Sequence, residues 1–115
     1  MHASITDGFE GLVGAIVNRR AIVIRYLKDP AVAGRRTVHP HVLFESITGK
    51  ILLHAVQIDG DTKTGQRIPG WRPFDVAHLI IEEITDQEFT CDPLLNLDNT
   101  SLYRFIYVDC VNGTH

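Results

Sequence analysis

The spacing of apolar and polar positions predicts one helix followed by a run of short strands. Phe9, Leu12, Val13, Ile16 and Val17 recur at the interval of a single helical face, which predicts a helix over residues 4–18. Thr6 and Asp7 are its candidate caps. Gly8, Gly11 and Gly14 gather on the opposite side. Each glycine costs a helix roughly 1 kcal/mol relative to alanine, so this helix is expected to form only when docked. The glycine side is either simply weak or a surface for close approach, for example by a partner subunit.

Further along, the period shortens to two. In "AIVIRYL" (21–27), Ile22, Ile24 and Tyr26 share one face of a strand. "KDPAVAG" breaks the pattern with proline and glycine. "RRTVHPHVLFES" (35–46) is the second strand, "SITGK" a hairpin connection, and "ILLHAVQI" (51–58) a third strand. The third strand is apolar on both faces except for His54 and Gln57, which suggests a central position. "DGDTKTGQRIPG" (59–70) reads as a polar loop. Its alternating Asp59 and Asp61 do not make a calcium loop: Lys63 and Gly70 occupy positions that need oxygen ligands. "GWRPFDV" is a short strand, and "AHLIIEEITDQEF" (77–89) a strand with a bent start. "LYRFIYVDCV" (102–111) alternates with both faces largely apolar. It should therefore be covered on both sides, and a second subunit is one candidate cover. The expected fold is mainly β with an N-terminal helix, with strand spacing near that of a small barrel.

Composition narrows the class. The chain has 115 residues, the size of one domain, with 44% hydrophobic and 22% charged residues. No apolar run approaches the length of a membrane span, and "MHASITDGFEG" lacks the features of a signal peptide, so the expectation is a cytoplasmic protein. The net charge of −3 argues against broad binding to double-stranded DNA. Cys91 and Cys110 form no CxxC pair and are expected to be two reduced thiols.

Several stretches, in order, resemble the WYL domain family. "LVGAIVNRRAIVIRY" looks like its opening, and "RTVHPHVL" is similar to its Arg-x-Val-x-Pro segment at Arg36, Val38 and Pro40. "GKILLHA" falls where the naming triplet sits, here Ile51, Leu52 and Leu53. "WRPFDVAHL" resembles the Arg-x-Phe segment at Arg72 and Phe74, and His78 stands where a second family arginine falls. "IEEITDQEF" matches the closing apolar spacing. The resemblance covers residues 12–89. It implies a small Sm-like (SH3-like) β-barrel over residues 21–89, an N-terminal helix in 1–20 and a C-terminal extension with one strand in 90–115. It also implies a sensor role like that of domains in bacterial transcription regulators, binding a nucleotide or another small anion.

The candidate ligand surface joins Arg36, Arg72 and His78 with Trp71 and Phe74. Guanidinium forks match phosphate or carboxylate, and an adjacent aromatic ring can stack on a base. Against this stands an ordinary structural role, with the arginines paired to Glu45, Glu82 or Glu83 and the rings in the core. His39 and His41 flank Pro40, which belongs at an edge or a bulge. With His54 and His78 they lack metal-site spacing, so neither a metal nor any other cofactor is expected. No nucleophile-elbow motif or opposed carboxylate pair points to catalysis, and no catalytic residue is expected. The competing reading is a protein–protein interaction or homodimerisation module working through the C-terminal strand and the glycine side of the helix.

Overall fold

The computed structural model describes residues 5–63 and 65–115. It is mainly β with one N-terminal helix, α1 (Ile5–Val17). Strands β1 (Arg20–Tyr26), β2 (Arg35–Glu45), β3 (Ile51–Gly60), β4 (Gly70–Asp75) and β5 (Leu79–Glu88) follow, then β6 (Phe105–Asp109) and the short β7 (Gly113–Thr114). One 3-10 turn, Pro30–Val32, precedes β2, and another, Val76–His78, forms the expected bent start of β5. Thr6 and Asp7, the expected caps, fall inside α1 instead of ahead of it. The expected start at residue 4 lies outside the described residues. No described helix is long and apolar enough to cross a membrane.

The sheet runs in the order β4-β3-β2-β1-β5, and every pairing is antiparallel. β3 lies inside the sheet, between β4 and β2, and β2 takes the central place expected for β3. No ladder joins β4 to β5 among the described residues, so the sheet is open and the expected barrel closure is not seen. The long strand β2 organises the rest. One of its edges pairs with β3 throughout. Its other edge pairs first with β1, at Arg35–Val38, and later with β6, at Val42–Glu45. Pro40 sits between these two partners, where its missing N–H breaks no ladder. Pro40 faces Ala55 and Val42 faces His54, so His41 is the extra residue of a bulge.

The bend lets β2 contribute to two apolar clusters. Leu12, Ala15 and Ile16 of α1 pack with Ile22, Ile24, Val38, Leu43, Leu53 and Phe74. Val42, Phe44 and Tyr103 form a second cluster with Leu52, Leu95, Leu97, Leu102 and Ile106. Residues 90–104 therefore supply cover from within the chain. A Cβ on Gly11 would lie 3.4 Å from Ile81, so the glycine side of α1 approaches β5 of the same chain. The last strand is shorter than expected, and Tyr103 precedes it. Tyr107 packs edge-on against Phe9, whereas Phe105 remains 52% exposed.

The expectation of two free thiols is corrected: Cys91 and Cys110 pair as a disulfide. Their 19-residue separation carries no signal in the sequence. The bulge brings them together. The Cys110 N–H donates to the His41 carbonyl, and the N–H of Asp92, next to Cys91, donates to His41 Nε2, both at 2.9 Å.

Phe44 is fully buried, so Phe44→Ala should lower stability by about 3–5 kcal/mol in chemical denaturation. Gly60 has φ +99°, and a Cβ there would lie 2.2 Å from the Arg35 carbonyl. Gly60→Ala should therefore also lower the melting temperature. Unchanged unfolding in either variant would contradict the packing described.

Candidate functional site

The core-facing rows of three neighbouring strands end in polar residues at one end of the sheet. On β2, Val38 gives way to Arg36; on β3, Ala55 gives way to Gln57; on β4, Phe74 gives way to Arg72. All three polar residues are buried, with Arg36 at 4% exposure and Arg72 at 9%. The Arg36 guanidinium lies 5.8 Å from the Tyr26 ring and 5.6 Å from the Phe74 ring. Its terminal nitrogens donate to the Val32 carbonyl at 2.9 Å and to Gln57 Oε1 at 3.4 Å. Gln57 Nε2 in turn donates to the Asp61 carbonyl at 2.7 Å. Arg72 donates to the Arg67 carbonyl at 2.6 Å and to its neighbour's carbonyl at 3.0 Å.

Neither guanidinium forms an ion pair with a carboxylate among the described residues. The glutamates considered from sequence go elsewhere: Glu82 pairs with Arg35 at 2.7 Å and Glu45 with Arg104 at 3.3 Å. The Nε–H groups of Arg36 and Arg72 are both buried without a partner among the described residues. Leaving a buried donor unpaired costs about 1–3 kcal/mol, so two together call for an acceptor. Burial holds the Arg36 pKa below its ordinary value; the Arg72 charge adds to this, and Asp61 opposes it.

Of the five residues singled out in the sequence, Arg36, Arg72 and Phe74 converge. Trp71 does not. Strand alternation turns it to the other face, where it meets His41 and His54 with ring centroids 4.9 and 5.2 Å apart. His78 lies exposed in the 3-10 turn, and its carbonyl accepts the Leu27 N–H. No described hydrogen bond joins it to either arginine. Tyr26 and Gln57 complete the group. The alternation of β1 had placed Tyr26 on one face with Ile22 and Ile24, and Gln57 was a polar exception in an apolar strand.

The histidines around Pro40 form a separate aromatic cluster. His41 Nδ1 donates to the His39 carbonyl at 2.7 Å while its Nε2 accepts from Asp92, which fixes a neutral tautomer. His39 stacks on Phe89 with centroids 4.8 Å apart. His54 Nδ1 shares a 2.9 Å hydrogen bond with the Tyr103 hydroxyl. Among the described residues no three His, Cys, Asp or Glu side chains are arranged to hold a metal ion. Burial lowers the pKa of all three histidines, and the neighbouring His41 lowers those of His39 and His54 further.

Searches against protein-family models, curated proteins and solved structures find no match for this chain.

The histidine cluster makes stability depend on pH. These imidazoles bind protons more weakly folded than unfolded. Their contribution should be complete above the unfolded value of about 6.5 and be lost as pH falls from there towards the lowered folded values. Urea midpoints measured between pH 8 and pH 5 should fall through this window. His41→Gln should flatten the dependence; an equally steep profile in the variant would remove His41 from the account.

Proposed function

We propose that this chain is a divergent WYL-like domain: a non-enzymatic sensor that binds a small anionic or nucleotide-like ligand through Arg36 and Arg72. The observation that carries this reading is the pair of buried guanidiniums whose Nε–H groups have no partner, and which form no ion pair with a carboxylate, among the described residues. A phosphate or carboxylate offers each Nε–H an acceptor and the two cations a counter-charge. Tyr26 and Phe74, which flank Arg36, supply the apolar wall. Both arginines fall on the motif positions of the resemblance, which supports the same site. The strand order, with a 3-10 turn between β4 and β5, supports derivation from an Sm-like (SH3-like) barrel. His78 and Trp71 take no direct part in this site.

Regulation of a bacterial transcription process in the cytoplasm is the role that follows from the resemblance. In a reducing cytoplasm the cysteines would stay as thiols. The hydrogen bonds through His41 would still tether their neighbours.

The test is a titration with inorganic phosphate and then with adenosine monophosphate, observed at the arginine Nε–H resonances. The Arg36 and Arg72 signals should move together. Arg72→Met should weaken binding at least about tenfold, the loss of one charge-assisted hydrogen bond. Signals that stay in place with both compounds would sink the reading.

A second reading, a homodimer, rests on one surface feature. Phe105, Glu45 and Ile51 occupy a single row across β6, β2 and β3, and both apolar members are exposed. Under this reading Phe105→Glu converts a dimer to a monomer. An unchanged mass by light scattering would exclude that interface.

A further inference from the structure

A second recess lies away from the twin arginines, where the end of α1, the start of β1, the middle of β2 and the end of β5 meet. Arg19, Arg20, His39, Glu88, Phe89 and Thr90 line this open groove. The carbonyl end of a helix attracts cations, so arginines here need no ligand to explain them. Two other features do not follow from the helix.

The first is the backbone of Arg19. It has φ 53°, in the left-handed region where a helix normally ends on glycine or asparagine. An arginine is strained there, so its side chain must contribute something a glycine would not. Part of that contribution is visible: Arg19 Nε donates to the Cys110 carbonyl at 2.7 Å. That bond leaves both terminal nitrogens without a partner among the described residues. Arg20 spends one terminal nitrogen on the Asp86 carbonyl and on Glu88. With Glu88 balancing Arg20, the groove keeps one uncompensated positive charge, that of Arg19.

The second feature is the flat platform beside that charge. His39 and Phe89 lie nearly parallel, 5° apart. His39 is half-buried, lines the groove, and has no side-chain hydrogen bond among the described residues.

We propose that this groove is a binding site for a planar organic monoanion, its ring laid on the side of His39 that Phe89 does not cover and its carboxylate held by the terminal nitrogens of Arg19. A flat ring matches the uncovered face of His39, which Phe89 backs, and a single carboxylate matches the single free charge. Thr90 lines the same rim and has a hydroxyl to offer. The site is independent of Arg36 and Arg72.

Three probes separate charge from stacking: benzoate, cyclohexanecarboxylate of equal charge without a flat ring, and neutral benzyl alcohol. Each is titrated into the full chain while the ring signals of His39 and Phe89 and the Nε–H of Arg19 are followed by nuclear magnetic resonance. Benzoate should move all three sets and bind at least about tenfold more tightly than either control. Arg19→Gly relieves the backbone strain at the loss of one hydrogen bond, so it should melt near the wild-type temperature yet lose benzoate binding. His39→Leu keeps the bulk and should erase the preference for the flat acid. Equal binding of the two acids would overturn the platform. Benzoate shifts confined to Arg36 and Arg72, or no shift at millimolar concentration, would overturn the site.

Discussion

The structure depends on a change of partner in the middle of β2. A strand has two hydrogen-bonding edges, and here one edge serves two clients in succession, β1 and then β6. The change occurs at Pro40, which has no N–H to offer, and at His41, which is bulged out of the β3 ladder. The bulge carries side chains on to a second apolar cluster and exposes the His41 carbonyl and ring to the C-terminal segment. Cys110 and Asp92 both dock on that one residue. Residues 90–115 are thereby bound to the sheet through backbone hydrogen bonds as well as through Leu95, Leu97 and Tyr103.

Polar chemistry then separates to two faces. The core-facing rows of β2, β3 and β4 run out of apolar residues at one end, where Arg36, Gln57 and Arg72 are buried without an ion pair to a carboxylate among the described residues. The opposite face collects neutral histidines among aromatic rings. Burial has opposite uses in the two places. At the arginines it leaves two guanidiniums without an ion pair among the described residues. At the histidines it suppresses charge, so the rings pack as apolar bodies with polar tips. Chain ends are managed in a third way: Asp109 is fully buried yet stays easily ionised. Its own burial works against this, but hydrogen bonds from His115, Asn112 and Val111 outweigh it.

Much of this was legible in the chain. The periods of 3.6 and 2 placed α1 and β1 to β5 within a few residues, because each element buries one face and the pattern records which. Arg36, Arg72 and Phe74 were singled out by guanidinium chemistry and by the resemblance, and their strands turn all three inward. Trp71 was grouped with them only by closeness in sequence, and adjacent strand residues point to opposite faces. His78 was misplaced for a related reason: a 3-10 turn at Val76–His78 interrupts the strand and leaves the side chain outside.

The sequence alone determined the class of the fold, the order of its elements and the shared face of Ile22, Ile24 and Tyr26, all of which are local periodicities. Only the tertiary structure decided that the sheet stays open between β4 and β5, that Cys91 meets Cys110, and that Gln57 and Tyr26 lie against Arg36. Those outcomes follow from which edges pair and where a bulge turns a strand. Such contacts join residues far apart in the chain, and no local pattern encodes them.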